Sequence, residues 1–436
     1  MKEQALQTMS RALRHRNYRL FFIGQSISLI GTWMTRLTTN WLVWRLTHSP
    51  EMLGLLGFIG QIPTFVLAPF AGVWVDRLNR HRLLTATQVL AMLQSFALAA
   101  LTLSGIVQVW EVFVLQAMQG VINAFDMPSR QALMVNLVED RTDLPNAIAL
   151  NSSLVNAARL AGPSIAGLLI TWVGEGWCFL VDGVSYIAVI VTLLIMHISL
   201  SRPSAPKKRV VHELIDGLRY VNGFTPIRAI LLLLALVGLV GMPYAVLLPI
   251  IVTQTLHGGP HTLGFLMGAM GVGALFGALY LASRSSVLGL GRLIPLASAT
   301  FGLGLVALGL SRSQSLSLVI MLFTGLGFMV NMAASNTVIQ TLVHDEMRGR
   351  VMALFGVAFL GMTPFGSLLA GAVASRIGAP ETVIGCGMVC LFGAAVFCRK
   401  LPALRELVRP IYVERGILSA VADGIGNATN IRDEAR

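Results

Sequence analysis

The sequence predicts an all-α membrane protein, with twelve transmembrane helices in two six-helix bundles. Three observations carry this. Of 436 residues, 55% are apolar and only 12% are charged, with a mean hydropathy of +0.74. Soluble domains carry about a quarter charged residues, and a water-soluble globule of this composition would leave too much apolar surface wet. Twelve apolar runs follow one another, each near the ~20 residues a spanning helix needs. Lys and Arg fall mostly on alternate connections. Together these exclude a cytosolic enzyme, a disordered chain and a secreted disulfide scaffold.

The runs lie near 20–43, 53–75, 83–104, 109–135, 145–173, 177–199, 229–254, 261–283, 293–311, 315–342, 351–375 and 380–398. They are rich in Leu, Val, Ala and Gly and too long for strands. A barrel would instead show alternating segments of about ten residues. The basic N-terminus lacks a small-residue cleavage site after its apolar stretch, so the first run reads as a retained span. With residue 1 in the cytoplasm, five cytoplasmic loops hold 14 Lys and Arg, and six outer loops hold three: Arg45, Arg312 and Arg376. That bias puts both termini in the cytoplasm, in a bacterial inner membrane. It also accounts for the net charge of +12 without nucleic acid.

Residues 1–200 form the N-terminal bundle, 201–226 a cytoplasmic linker, 227–402 the C-terminal bundle and 403–436 a cytoplasmic tail. Pro, Ser and basic residues mark the linker. Within it Leu214, Ile215, Leu218 and Val221 recur at helical spacing, which predicts an amphipathic helix on the inner leaflet. The halves echo each other. Leu53-Gly54 opens span two and Leu263-Gly264 opens span eight. Gly162, Gly167 and Gly174 match Gly366, Gly371 and Gly378, each 204 later. Duplicated halves are a transporter feature. The four cysteines, Cys178, Cys386, Cys390 and Cys398, stand in apolar segments without metal-ligand company, so no metal or cofactor is expected.

Polar side chains in hydrocarbon are costly, so stripes of them mark a water-filled path or a helix contact. Span one carries Gln25, Ser28, Thr32, Arg36 and Thr39 on one face about 80° wide at ~100° per residue. Span four carries Gln116, Gln119, Asn123, Asp126 and Arg130 on another. Span five adds Asn151, Ser152, Asn156 and Arg159, and span ten carries Thr324, Phe328, Asn331 and Ser335 at spacings of 4, 3 and 4. Interhelical hydrogen bonding, worth about 0.6–2 kcal/mol per contact, explains any single Asn, Ser or Thr as well as function does. It explains a five-residue stripe containing an Arg less well. The lining is concentrated in the first half, which suits an amphipathic substrate with a polar or anionic end. Asp126 and Arg130 can pair at i, i+4 and either carry a proton or neutralise a gate. Asp182, near the outer end of span six, is a second candidate for protonation.

The most specific stretch is Gly72-Val73-Trp74-Val75-Asp76-Arg77-Leu78-Asn79-Arg80-His81-Arg82. Gly72 permits close helix approach. Asp76 sits at the inner surface, where it can meet the positive end of a helix. The basic cluster holds the loop cytoplasmic and can pair with acids such as Asp126.

This loop resembles the signature Gly-x-x-x-Asp-Arg-x-Gly-Arg-Arg of the major facilitator superfamily. Asn79 stands for the second Gly, and its tolerance of the left-handed conformation would preserve the turn. The resemblance implies that Asp76 docks near Val351 and that Arg77 or Arg80 reaches Asp126, closing the cytoplasmic side. Ala161-Gly162-Pro163-Ser164-Ile165-Ala166-Gly167 resembles the Gly-Pro motif of antiporting members, which implies that Gly162 and Pro163 join Gly72, Asp76, Arg77 and Arg80 in the cytoplasmic gate. Gln116-Ala117-Met118-Gln119-Gly120 lacks the Arg of the proton-coupled motif Arg-x-x-Gln-Gly, so coupling would need Arg36, Arg130 or Arg159 as substitute. Asn123 to Gln131, Leu144 to Ala147, Ala158 to Pro163 and Asp345 to Val351 are similar to the transmembrane secretion effector branch, which includes enterobactin-type siderophore exporters.

The resemblance implies a monomeric secondary transporter in contact with membrane lipids. It would export a siderophore- or drug-like molecule by alternating access, driven by protons. No Gly-x-x-x-x-Gly-Lys-Ser/Thr loop is present for ATP. Two alternatives stay open. One is a lysophospholipid flippase or uniporter of the same fold. The other is a membrane-embedded acyltransferase, for which His212-Glu213 and the loop pair His257 and His261 are meagre material.

Overall fold

The computed structural model describes residues 11–138, 140–196, 210–284 and 286–418, and every regular element among them is helical. The long helices are α1 (Arg16–Thr47), α2 (Pro50–Arg77), α3 (Arg80–Leu103), α4 (Val109–Leu137), α5 (Leu144–Val173) and α6 (Glu175–Ile195). A shorter α7 (Val210–Gly223) precedes α8 (Thr225–Thr255), α9 (Pro260–Ala282), α10 (Leu290–Leu310), α11 (Gln314–Leu342), α12 (Asp345–Ile377) and α13 (Ala379–Glu414). Ten of these are long and apolar enough to cross a membrane. The exceptions among the long helices are α1 and α4, of 32 and 29 residues. They are the two that carry a five-residue polar stripe.

Local chemistry sets the ends. Pro50 opens α2 behind Ser49, whose Oγ accepts from the Met52 N–H. Gly174 and Gly378 turn the chain at φ +91° and +96° between α5 and α6 and between α12 and α13. Only glycine is at ease there, so the 204-residue echo marks two equivalent turns. Asn79 works differently from expectation. Its φ is −70°, not left-handed, and its Oδ1 caps α3 by accepting from the Arg82 N–H at 3.1 Å. The turn survives because Asn is a good N-cap. α13 runs on to Glu414 through Pro402 and Pro410, so the first residues of the expected 403–436 tail are helical.

In the first half, α1 packs on α5 and α6, α3 on α4 and α6, and α2 on α4. In the second, α10 packs on α11 and α13, and α9 on α11. The halves meet along α5–α9 and α2–α12. α7 lies on the start of α12, where Arg350 approaches Asp216 at 3.5 Å.

Call the end where α1 begins proximal and the end where it finishes distal. Near the distal end the seams are made by glycines. A Cβ on Gly54 would stand 2.9 Å from the Gly371 Cα, and one on Gly167 would stand 3.0 Å from the Gly264 Cα. Here α2 meets α12, and α5 meets α9, backbone against backbone. Three side-chain bonds cross between the halves near the same end. Trp44 Nε1 donates to Thr253 Oγ1 at 3.0 Å, Ser375 Oγ donates to Glu51 Oε1 at 2.7 Å, and Ser164 Oγ reaches the Gly264 carbonyl at 3.5 Å.

α8 and α12 each contain a wide π-turn, Val237–Gly241 and Val357–Gly361. The two interlock, since a Cβ on Gly238 would lie 2.5 Å from the Phe359 carbonyl oxygen.

Candidate substrate pathway and its charged centre

Arg36 lies 20 residues into α1, about 30 Å along it at 1.5 Å per residue, and Arg159 lies 15 residues, about 22 Å, into α5. Both are deep in the bundle. Their guanidiniums share one ring. The Arg36 Cζ is 4.9 Å and the Arg159 Cζ 5.0 Å from the Trp33 ring centroid. Each contact is worth about 0.5–2 kcal/mol and offsets part of the cost of two like charges in one place. Arg36 keeps exposed surface at this depth, and Asn40 Nδ2 donates to its backbone carbonyl at 3.1 Å. Arg159 is half-buried, and its Nε has no partner. Tyr244 of α8, from the opposite half, is its electrostatic neighbour. Arg159 therefore lies on the side of the first half that faces the second.

The other polar groups divide into two sets. Thr32, Gln116, Gln119, Asn123, Asn151, Asn156 and Arg130 are partly exposed. Gln25, Asp126 and Asn331 are buried, at 1%, 7% and 2% exposure. Asn331 Nδ2 donates to the Ile294 carbonyl at 3.2 Å, tying α11 to α10. Gln25 and Asp126 belong to one network. Arg130 donates to Gln25 Oε1 at 2.5 Å and to Asp126 Oδ2 at 2.6 Å. Asp126 Oδ1 accepts from Thr87 Oγ1 at 3.1 Å and Gln88 Nε2 at 2.5 Å. Asp126 thus fastens α4 to α3 and, through Arg130, to α1. Gln116 and Gly120 pack on α2, where Thr64 Oγ1 donates to the Gly120 carbonyl at 2.7 Å.

The loop residues Gly72, Asp76 and Arg77 have side chains outside the described set. Arg80 starts α3 and has its own partner. Gly162 and Pro163 belong elsewhere. They lie 18 and 19 residues into α5, past its midpoint, so they are not beside the loop after α2. Gly162 lets α1 close on α5, since a Cβ there would meet the Trp33 Cβ at 2.6 Å. The Pro163 carbonyl would meet a Cβ on Gly264 at 2.5 Å. The motif builds the distal seam and seats Trp33.

Sequence reasoning missed Trp33, Thr87 and Gln88. Trp33 had a signal, since it stands three residues before Arg36 on a helix face. Thr87 and Gln88 had none, because isolated polar residues in an apolar helix do not announce a partner.

A match to the family described as "Transmembrane secretion effector" runs over residues 8–410. The chain belongs to that family. It is a multi-pass transporter of the major facilitator type. It is 24% identical over 379 residues to a staphyloferrin A transporter of Staphylococcus aureus, covering 86% of this chain and 94% of that protein. It is 28% identical to the multidrug efflux pump Tap of Mycolicibacterium fortuitum, covering 86% and 93%. It is 22% identical to macrolide efflux protein A of Streptococcus pyogenes, covering 90% and 99%. Among solved structures it resembles a POT family transporter in complex with a thioalcohol-conjugated peptide, with TM-score 0.73, 12% identity and coverage of 89% and 96%. It also resembles an inward-facing bacterial homologue of the lysosomal transporter Spinster, with TM-score 0.66, 13% identity and coverage of 92% and 98%. The curated relatives are efflux and secretion transporters of small molecules, and both solved neighbours are transporters.

Proposed function

We propose that this protein exports an amphipathic small molecule with an anionic end across the bacterial inner membrane, driven by the proton gradient. The observation that carries the reading is the Arg36–Trp33–Arg159 stack. Two guanidiniums near mid-depth, one of them exposed, suit a carboxylate or phosphate and repel a cation. The Trp33 ring offers an apolar surface beside them. One relative is named as a staphyloferrin A transporter.

All twelve long helices cross the membrane in this reading, with both termini in the cytoplasm, an orientation that the placement of the basic residues supports. Proximal is then cytoplasmic and distal is outside. The glycine seams close the outer side, and rocking the halves about the arginine pair gives alternating access.

Inverted vesicles test the proposal. Uptake of carboxyfluorescein (an anionic amphipath) and of ethidium (a cation) is measured with and without an imposed pH gradient. Gradient-driven uptake of the anion is expected, and Arg36→Ala abolishes it while the protein still elutes as a folded species. Normal transport by Arg36→Ala would remove the pair from the pathway, and preference for ethidium would overturn the anionic assignment. A labelled lysophospholipid provides a third arm, because its phosphate could meet the same arginines.

A further inference from the structure

Asp182 of α6 is buried at 1% exposure, and the contacts described above leave it unused. Its Oδ2 accepts from Thr35 Oγ1 of α1 at 2.7 Å and from Ser95 Oγ of α3 at 2.8 Å. Its Oδ1 has no partner. The carboxyl fits against Gly31, where a Cβ would stand 2.5 Å from Oδ1 and 2.7 Å from Ser185 Oγ. The Ser185 hydroxyl donates to the Asp182 carbonyl at 2.7 Å and lines the same small space beside Gly31 as the bare oxygen. A single buried carboxyl thus has two hydroxyl donors on one oxygen and nothing on the other, which leaves Oδ1 as the place for an added proton.

The surrounding charges do not fix its state. On α1 the nearest charged residue in sequence is Arg36, next to Thr35, and that guanidinium stacks on Trp33. α3 carries no charged residue between Arg82 and its end at Leu103. On α5, Arg159 stacks on the same ring. On α6 itself, Tyr186 contacts Thr32 Oγ1 at 3.3 Å, and Glu175 pairs with Arg45 at 2.6 Å. Asp126 and Arg130, which act on Tyr186 from a distance, neutralise each other. Among the described residues the carboxyl has no ion pair, while two hydroxyls from neighbouring helices converge on one of its oxygens, so an ionisable group inside the bundle stands with the company a functional one needs.

We propose that Asp182, not Asp126, is the group that binds and releases the transported proton. The proposal rests on the proton-driven reading above. Thr35 is only partly buried and adjoins Arg36, so it gives the proton a one-residue route from the substrate path. When Asp182 is charged its bonds clasp α1 and α3 to α6. When it is neutral the clasp weakens, and α1 carries the change to the arginine pair.

The test has two readouts on purified protein in liposomes. Infrared spectra follow the protonated-carboxyl band between about pH 5 and about pH 9, and carboxyfluorescein uptake is measured with and without a pH gradient. The wild type is expected to show a band that fades as pH rises. Asp182→Asn loses that band and gradient-driven accumulation but keeps downhill flux, while Asp126→Asn keeps the titrating band. Thr35→Val removes a donor to the charged form, so its band persists to higher pH. An unchanged titrating band in Asp182→Asn would overturn the proposal, as would gradient-driven accumulation by that variant or transport that follows sodium instead. A wild type indifferent to the pH gradient would sink the proton-driven reading, and with it the transport role of Asp182, while the infrared titration still reports whether Asp182 takes up a proton.

Discussion

Gly264→Ala adds one methyl group at the α5–α9 seam. Its Cβ would lie 2.5 Å from the Pro163 carbonyl oxygen and 3.1 Å from the Gly167 Cα. Both neighbours are backbone and cannot swing aside. Restoring ordinary contact, 3.4 Å or more, moves the helices apart by about 0.9 Å. Overpacking of this kind costs about 1–3 kcal/mol. A conformation with the distal end open does not pay it. The balance between closed and open therefore shifts by roughly 5- to 150-fold. The assay places a cysteine at Thr253 after the exposed native Cys398 is changed to Ser, and measures the rate of maleimide labelling of the purified protein. Labelling rises by at least about five-fold. Gly385→Ala is the control, because its Cβ would meet nothing within 4 Å. If Gly264→Ala elutes as folded protein and labels at the parental rate, the seam is not what holds the distal end shut.

Three further outcomes follow from the same contacts. Arg130→Met leaves Asp126 buried without its cation and lowers thermal stability in detergent by about 3–5 kcal/mol, and the double variant with Asp126→Leu recovers most of the loss. Trp44→Phe removes the bond to Thr253, worth about 1 kcal/mol, and raises distal labelling at Ser375→Cys by about five-fold, which equal rates would contradict. Arg350→Ala frees α7 from α12, so limited proteolysis near residue 210 proceeds faster than in the parent, and an equal rate would show that the Asp216 pair does no anchoring.

The helical architecture was legible because a bilayer imposes it. Crossing length, hydropathy and the placement of basic residues are written locally, and helix ends fall where Pro, Gly and capping residues stand. The glycine echoes were legible as pattern but not as purpose. Gly174 and Gly378 proved to be positive-φ turns, and Gly167 and Gly371 proved to be halves of two seams. The polar stripes were legible only as faces. Whether a face meets water or another helix depends on its partner, which the stripe does not contain. Arg36 lies exposed, whereas Gln25, on the same stripe, is closed off by Arg130 from α4. Asp182 shows the same limit, since its donors come from α1 and α3 at sequence separations of 147 and 87.

The swapped pairing of the seam glycines has a geometric meaning. Gly54 corresponds to Gly264 and Gly167 to Gly371 in the repeat, yet Gly54 faces Gly371 and Gly264 faces Gly167. A lone six-helix unit, with one such glycine on its second helix and one on its fifth, would make both junctions at once by meeting a copy of itself about a two-fold axis. The fused chain keeps that self-complementary joint, so each junction can be altered separately although a single template describes both.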